Sequence, residues 1–268
     1  MIANVLTIAG TDPSGGAGIQ ADIKAMSALG AYACSAITAV VAQNTQGVRS
    51  FQALSPDFVA DQIDAVLDDV RIDAVKIGMI ANAGIARAVA DRLRYHGARN
   101  IVLDPVMVAK SGHALLDPEA VAVVREALVP LARVITPNLP EAAVLLDRPD
   151  DWSAASMTAA LPELMALGAR YVLLKGGHLA GADSTDLLAG PEGTQTFAAP
   201  RIATTNDHGT GCTLSSAIAA LLPHHDMPEA VERAKAYLHA ALAESAALDV
   251  GQGHGPVHHF HGLWGAGN

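Results

Sequence analysis

The feature that most constrains this chain is a repeating alternation of short apolar runs with longer helical patterns. Val5-Leu6-Thr7-Ile8-Ala9, Ala36-Ile37-Thr38-Ala39-Val40-Val41, Ala74-Val75-Lys76-Ile77-Gly78-Met79, Ile101-Val102-Leu103-Asp104, Arg133-Val134-Ile135-Thr136 and Tyr171-Val172-Leu173-Leu174-Lys175 each read as a strand apolar on both sides. Such strands need cover on both faces, which a parallel sheet between layers of helices provides. Helices are expected through 19–29, 83–95, 117–129 (starting at Asp117-Pro118), 156–167 and 228–247. One more begins at Ser55-Pro56, an N-cap followed by a first-turn proline, with Phe58, Val59, Ile63, Val66, Leu67 and Val70 on its apolar face. The stretch 183–205 is polar and turn-rich. Its segments 185–188 and 194–197 flank Gly190-Pro191-Glu192-Gly193, which predicts an antiparallel edge hairpin. With no linker, repeat or low-complexity segment, residues 1–268 read as one α/β domain.

In open parallel sheets, ligands bind beyond the carboxyl ends of the strands. Gln43, Met79, Asp104, Asn138 and Lys175 each sit just past an apolar run, so their side chains are expected to converge. A further piece is Asp207-His208-Gly209-Thr210-Gly211-Cys212-Thr213-Leu214-Ser215-Ser216, a glycine turn running into the buried helix pattern of 217–222. The first N–H groups of a helix lack internal acceptors, so such a turn is a ready anion site, and its field favours a Cys212 thiolate. The same residues can also serve as a tight strand-to-helix connection with a packed cysteine. Taken singly, Asp104-Pro105 fits a turn cap, Asn138 before Pro140 a helix start, and Lys175 the surface. Together they supply Mg²⁺ acceptors (Asp104 and Glu141), a phosphate cation (Lys175) and an amide anion site (209–212). Phosphoryl transfer needs that set, because its catalysis is mainly positioning and charge stabilisation. No Gly-x₄-Gly-Lys-Ser/Thr stretch occurs, so a P-loop is excluded.

Composition narrows the partners. Hydrophobic residues make up 51% and charged residues 16%, enough for a large core. The net charge is −10, from 27 acidic and 17 basic residues, and no basic run interrupts it. Nucleic acid and anionic membranes are therefore not expected partners. Cys34 and Cys212 are too few for a disulfide framework. With no signal peptide or membrane-length apolar run, a cytoplasmic location is expected. Gly15-Gly16-Ala17-Gly18 follows a strand like a dinucleotide turn but lacks the full spacing. The tail around His254, His258, His259 and His261 lacks the ligand spacing of a metal site and reads as a docked or loose tail. Cys34 reads as a core residue.

Several of these stretches closely resemble the hydroxymethylpyrimidine/phosphomethylpyrimidine kinases of thiamine biosynthesis, within the ribokinase-like superfamily. They are 7–22, with Gly10-Thr11-Asp12-Pro13-Ser14-Gly15-Gly16-Ala17-Gly18, then Ala42-Gln43-Asn44-Thr45-Gln46-Gly47-Val48, Asp104-Pro105-Val106-Met107, Thr136-Pro137-Asn138-Leu139-Pro140-Glu141, Leu174-Lys175-Gly176-Gly177-His178, the 208–215 turn, and the tail Gly255-Pro256-Val257-His258-His259-Phe260. The resemblance spans nearly the whole chain. It implies a three-layer α/β/α fold using ATP and Mg²⁺, and phosphorylation of 4-amino-5-hydroxymethyl-2-methylpyrimidine to the monophosphate and then the diphosphate. It implies that Gln43, helped by Asp22, bonds the aminopyrimidine, that Ala17, Met79 and Val106 line the ring pocket, and that His208 belongs with the substrate. Asp104 and Glu141 are implied to serve Mg²⁺, Lys175 to steady the transferring phosphate, and Asn138 and Thr210 to lie near the nucleotide. Gly209 and Gly211 would offer amides to the phosphoryl group, and Cys212 would act as base. Closure would fall to short loops such as 44–55 and 107–114, and a homodimer is expected. Two other readings remain open: a pyridoxine or pyridoxal kinase, and a catalytically silent ligand-binding domain of the same fold.

Overall fold

A computed structural model describes residues 1–107 and 118–264. Its central sheet has eight strands: β1 (Asn4–Ala9), β2 (Tyr32–Ile37), β5 (Ala74–Ile77), β6 (Ile101–Leu103), β7 (Val134–Ile135), β8 (Tyr171–Lys175), β9 (Asp183–Gly190) and β10 (Gly193–Pro200). They run in the order β10-β9-β8-β7-β6-β5-β1-β2. All pairings from β2 to β8 are parallel, and β9 and β10 add the expected antiparallel hairpin at one edge.

Side chains of successive strand residues point to opposite faces, and here both faces are dry. Val5, Val102, Val134 and Leu173 pack under α1 (Gly18–Ala28), α7 (Thr210–Leu221) and α8 (Met227–Ala243) through Met26, Leu214, Ile218 and Val231. Leu6, Ile8, Ile77, Leu103, Ile135 and Val172 face the other way, among residues from five helices: α2 (Pro56–Leu67), α3 (Ala83–Tyr95), α4 (Pro118–Val123), α5 (Leu139–Leu145) and α6 (Ala154–Met165). This is the three-layer α/β/α arrangement, and it explains the uninterrupted apolar runs. Among the described residues no helix is long and apolar enough to cross a membrane.

Four expectations need correcting. The run 36–41 is not one strand. The chain leaves the sheet at Thr38, whose buried hydroxyl donates to the Met79 carbonyl at 2.6 Å and whose N–H donates to the Ala9 carbonyl. Beyond it the chain forms a separate hairpin, β3 (Ala39–Asn44) and β4 (Gly47–Ala53), so most of 44–55 is strand rather than loop. On α2, Ser55 caps as expected, accepting from the Phe58 N–H, but Phe58 itself is exposed and Val70 lies beyond the helix end; Val59 and Ile63 carry the burial. The helix expected over 117–129 is α4 followed by a π turn (Val124–Leu128) and a 3₁₀ turn (Val129–Leu131). Pro130 has no N–H to continue an α-helical ladder there. Asp117 and the expected closing loop at 108–114 lie outside the described residues.

Candidate active site

The site is built at the carboxyl edge of the sheet. Met79 follows β5, Asp104 follows β6, Asn138 follows β7, and Lys175 ends β8. Gln43 arrives differently: it belongs to the β3–β4 hairpin, not to a sheet strand. The turn at 207–211 completes the ring. Gly209 caps α7 in the left-handed region (φ +77°), and a side chain there would run into the Gly16 carbonyl. The Gly15–Gly18 turn packs against the start of α7.

Two cavities meet at this turn. One, of about 490 Å³, is lined by Ala17, Gln43, Met79, Val106, Asp104, Glu141, Lys175, His208, Gly209, Thr210, Gly211 and Cys212. The other, of about 440 Å³, lies toward β10 and α8, along Ser184, Arg201, Thr204, Leu238 and His239. Asn138, Lys175, His178, Asp207, Thr210 and Gly211 border both. Of the residues expected in the site, Asp22 alone stands outside these walls. It is fully buried beneath them, 2.8 Å from the Lys76 ammonium, and accepts hydrogen bonds from the Thr7 and Ser216 hydroxyls. With its oxygens committed to those partners, Asp22 cannot also serve the ring pocket as expected.

Charges around the turn are interlocked. Lys175 Nζ lies 3.0 Å from Asp104 and 4.0 Å from Glu141. Asp104 also accepts from the Thr136 hydroxyl at 3.0 Å and the Ser215 hydroxyl at 3.3 Å. Burial by itself would neutralise both members of the Lys175–Asp104 pair, but their mutual attraction holds the lysine's pKa above its ordinary value and the aspartate's below. Glu141 is different: burial, with Asp104 adding repulsion and Lys175 opposing it, pushes its carboxyl up to about 7. Asn138 and Glu141 form a capping box at the start of α5, each side chain bonded to the other's N–H at 2.8 Å.

These carboxylates fit a magnesium ion. Mg²⁺ takes hard oxygen donors, usually one or two carboxylates completed by waters and phosphates. Glu141 uses Oε2 in the capping box, and its unfavourable buried charge is what a cation would relieve. Among the described residues there is no cluster of three or more His, Cys, Asp or Glu that could cage a metal alone. The histidine-rich tail holds none: His259 bonds the Thr213 hydroxyl at 3.0 Å, His254 pairs with Asp207 at 2.9 Å, and His261 bonds the His258 carbonyl.

Cys212 stands in the first turn of α7, facing the larger cavity. Its expected thiolate is not the resting state. Burial pushes the thiol up to about 11; Lys76 and the Gly18 amide pull it down, while Asp22 and Asp104 add repulsion. The helix field alone does not overcome burial.

Asp12, which no strand-end pattern marks, is the most connected polar residue of the site. Its carboxylate is buried and accepts from the Ser14 N–H and hydroxyl, the Gly16 and Ala17 N–H groups, and His208 Nε2 at 2.8 Å. Burial would raise its pKa, but hydrogen bonds from His208, Ser14 and Gln43 hold it well below the usual carboxylate range.

Comparisons with known proteins show the family and the fold. Residues 12–258 match the phosphomethylpyrimidine kinase family model. The hydroxymethylpyrimidine/phosphomethylpyrimidine kinase of Salmonella typhimurium is 59% identical over 97% of this chain and 98% of its own length. Its Escherichia coli namesake is 58% identical over the same shares. Among solved structures, the ADP complex of Bacillus subtilis pyridoxal kinase superposes with a TM-score of 0.89 at 36% identity, covering 97% of this chain and 98% of that one. A phosphomethylpyrimidine kinase from Clostridium difficile gives 0.79 at 41% identity, covering 90% and 99%.

Proposed function

The chain belongs to the phosphomethylpyrimidine kinase family, and on that premise we propose that it phosphorylates the hydroxymethyl group of 4-amino-5-hydroxymethyl-2-methylpyrimidine from ATP, and then the monophosphate to the diphosphate, in thiamine biosynthesis. The observation that carries this reading is the meeting of two cavities at one anion-binding turn. The pyrimidine occupies the larger cavity, with its ring against Ala17, Met79 and Val106 and its polar edge toward Gln43 and His208. The nucleotide occupies the smaller one, with its phosphates at Asn138 and Thr210. The terminal phosphoryl group then lies between Lys175 and the amides of 209–212.

Transfer needs the alcohol oxygen in line with the phosphoryl group and the developing charge held in place. Lys175, kept ionised by Asp104 and Glu141, neutralises the equatorial oxygens from one side. The N–H groups opening α7 approach from the other, free of helical acceptors. Asp104 and Glu141 would hold a magnesium ion, which would supply positive charge against the phosphates when bound. Cys212 is the residue placed to take the alcohol's proton, which it can do only as the thiolate. Burial holds the resting thiol neutral, so it must first give its own proton to solvent, a loss that the nearby Lys76 charge favours. An incoming phosphoryl group makes the alcohol more acidic as the bond forms, so proton transfer comes late.

Pyridoxal is the second substrate to weigh, because solved pyridoxal kinases share the fold at 31–36% identity. The 58–59% identity to pyrimidine kinases outweighs it. The convergence of Asp104, Glu141, Lys175 and Cys212 in one cavity argues against a silent binding domain. A homodimer belongs to the same proposal, and exposed Tyr32 and Val40 offer it apolar surface. The deciding experiment is a time course with ATP and the pyrimidine alcohol, resolving mono- and diphosphate, beside the same assay with pyridoxal. A large preference for pyridoxal, or no ATP turnover with either, would overturn the assignment.

A further inference from the structure

The β3–β4 hairpin stands apart from the central sheet, and a two-stranded ribbon is only marginally stable alone. It is tied to the body at its base. There the Thr11 hydroxyl accepts from the Val41 N–H at 3.0 Å, and the Leu54 N–H donates to the Thr38 carbonyl at 2.9 Å. Toward the tip the ladder weakens. Its register slips between Ala42 and Gln43, leaving Arg49 as the extra residue of β4, and beyond the slip only the pairs Gln43–Val48 and Asn44–Gly47 remain. A bulge of this kind re-aims the side chains beside it. Gln43, which borders the larger cavity, therefore takes its direction from the least supported part of the ribbon.

Thr45, buried at the tip, supplies the support. Its hydroxyl accepts from the Gly253 N–H at 3.1 Å and its carbonyl from the His254 N–H at 2.9 Å. The approach is so close that a side chain at Gly253 would run into the Thr45 carbonyl, and one at Gly251 into the Thr45 hydroxyl. The same segment is moored on its other side. The Gly255 carbonyl accepts from the His208 N–H at 3.0 Å, and the His254 ring pairs with Asp207 at 2.9 Å. Just beyond Gln43, the hairpin tip is thus fastened to the turn that opens α7. Resting on the pyrimidine-kinase reading of the site, we infer that Thr45 is a positioning residue: by clamping the tip to 253–254 it holds the Gln43 amide over the ring pocket and so sets the affinity for the pyrimidine. A tip released part of the time presents Gln43 part of the time, and apparent affinity falls by that fraction.

The test is a double-mutant cycle on KM for the pyrimidine alcohol at saturating ATP. Thr45→Val keeps the shape of the side chain but takes the hydroxyl acceptor away from the Gly253 N–H. It should raise that KM about tenfold, with kcat and KM for ATP within about twofold of wild type. Thr45→Ser, which keeps the hydroxyl, should restore the wild-type value. In a Gln43→Ala background the Thr45→Val change should add less than about twofold, because no amide is left to position. An effect just as large without Gln43, or an equal rise in KM for ATP, overturns the inference and leaves Thr45 a structural staple. So does an unmoved KM in the folded variant. Should Thr45→Val fail to fold, Gly253→Ala decides by the same cycle, since it leaves Thr45 intact and pushes the segment off it. A Gln43→Ala enzyme with the wild-type KM removes Gln43 from the ring pocket and the inference with it. Wild type that does not turn over the pyrimidine alcohol overturns the functional reading itself, and the inference falls with it.

Discussion

At the scale of single residues, Cys212 shows how two opposed effects are decided. A helix N-terminus lowers a thiol's pKa, but burial, with Asp22 and Asp104 near, wins and leaves it at about 11. The ligand-free protein should therefore react slowly with iodoacetamide at pH 7, speeding about tenfold per pH unit toward that value. Mass spectrometry of a Cys34→Ser background reads this directly, and fast labelling of Cys212 at neutral pH would contradict it. Cys212→Ala should keep the affinities for ATP and the pyrimidine but lose about a hundredfold or more in turnover. Near wild-type rates in that variant would show that another group takes the proton. Asp104, Asn138 and Lys175 were legible in the sequence because strand ends mark them. Asp12 was not, since one of its partners lies 196 residues away. Its Asp-Pro-Ser-Gly setting, an Asx turn in which the side chain accepts from the residue two ahead, is the signal that could have found it. Asp22 was misplaced for a related reason: the lysine inside the apolar run of β5 needed a buried carboxylate, and Asp22 is it.

Among the elements, the turn into α7 carries the sharpest constraint. Its two glycines do different jobs. Gly209 holds a left-handed conformation against the Gly16 carbonyl, so Gly209→Ala meets both backbone strain and a main-chain clash. A loss of about 2 kcal/mol or more in stability, with activity lost alongside, is the expected result. A methyl group at Gly211 would stand 3.3 Å from Lys175 Nζ, a close contact that the lysine's flexible end can relieve, and 3.6 Å from Asp104 Oδ2, in the space proposed for the phosphoryl group. Gly211→Ala should fold like wild type and still lose about tenfold or more in kcat. Thermal melts and steady-state rates on the two variants separate these effects; equal melting temperatures for both would refute the distinction. Periodicity could not reveal that 36–44 splits at Thr38, because β2 and β3 are both apolar. The Thr38 contacts with Ala9 and Met79, with others beside them, turn the chain out of the sheet and carry Gln43 over the site.

Across the whole molecule, the alternation of strands and covering helices along the chain was readable because burial on both sheet faces makes each strand an uninterrupted apolar run. The C-terminal segment was not, because it has no period: it is an irregular strap held by hydrogen bonds to distant elements. Gly253 and His254 bond Thr45 between β3 and β4, and the Gly255 carbonyl accepts from His208 in the α7 turn. His258 donates to the Ala241 carbonyl in α8, and Tyr237 donates to the His259 carbonyl. The strap thus joins the β3–β4 hairpin to the turn into α7, and His259 makes it sensitive to pH. Burial, with Lys24 and His258 adding repulsion, lowers that imidazole from 6.5 to about 3. Below pH 6.5 the unfolded chain takes up a proton that the folded chain refuses, so stability is complete above that pH and falls as pH drops toward 3. Between pH 8 and 5 this one group should remove about 2 kcal/mol. His259→Gln can keep the Thr213 hydrogen bond without titrating. Urea unfolding at the two pH values should therefore show a larger acid loss in wild type than in the variant, by about that amount, and equal losses would mean that His259 is not the buried neutral imidazole that anchors the strap.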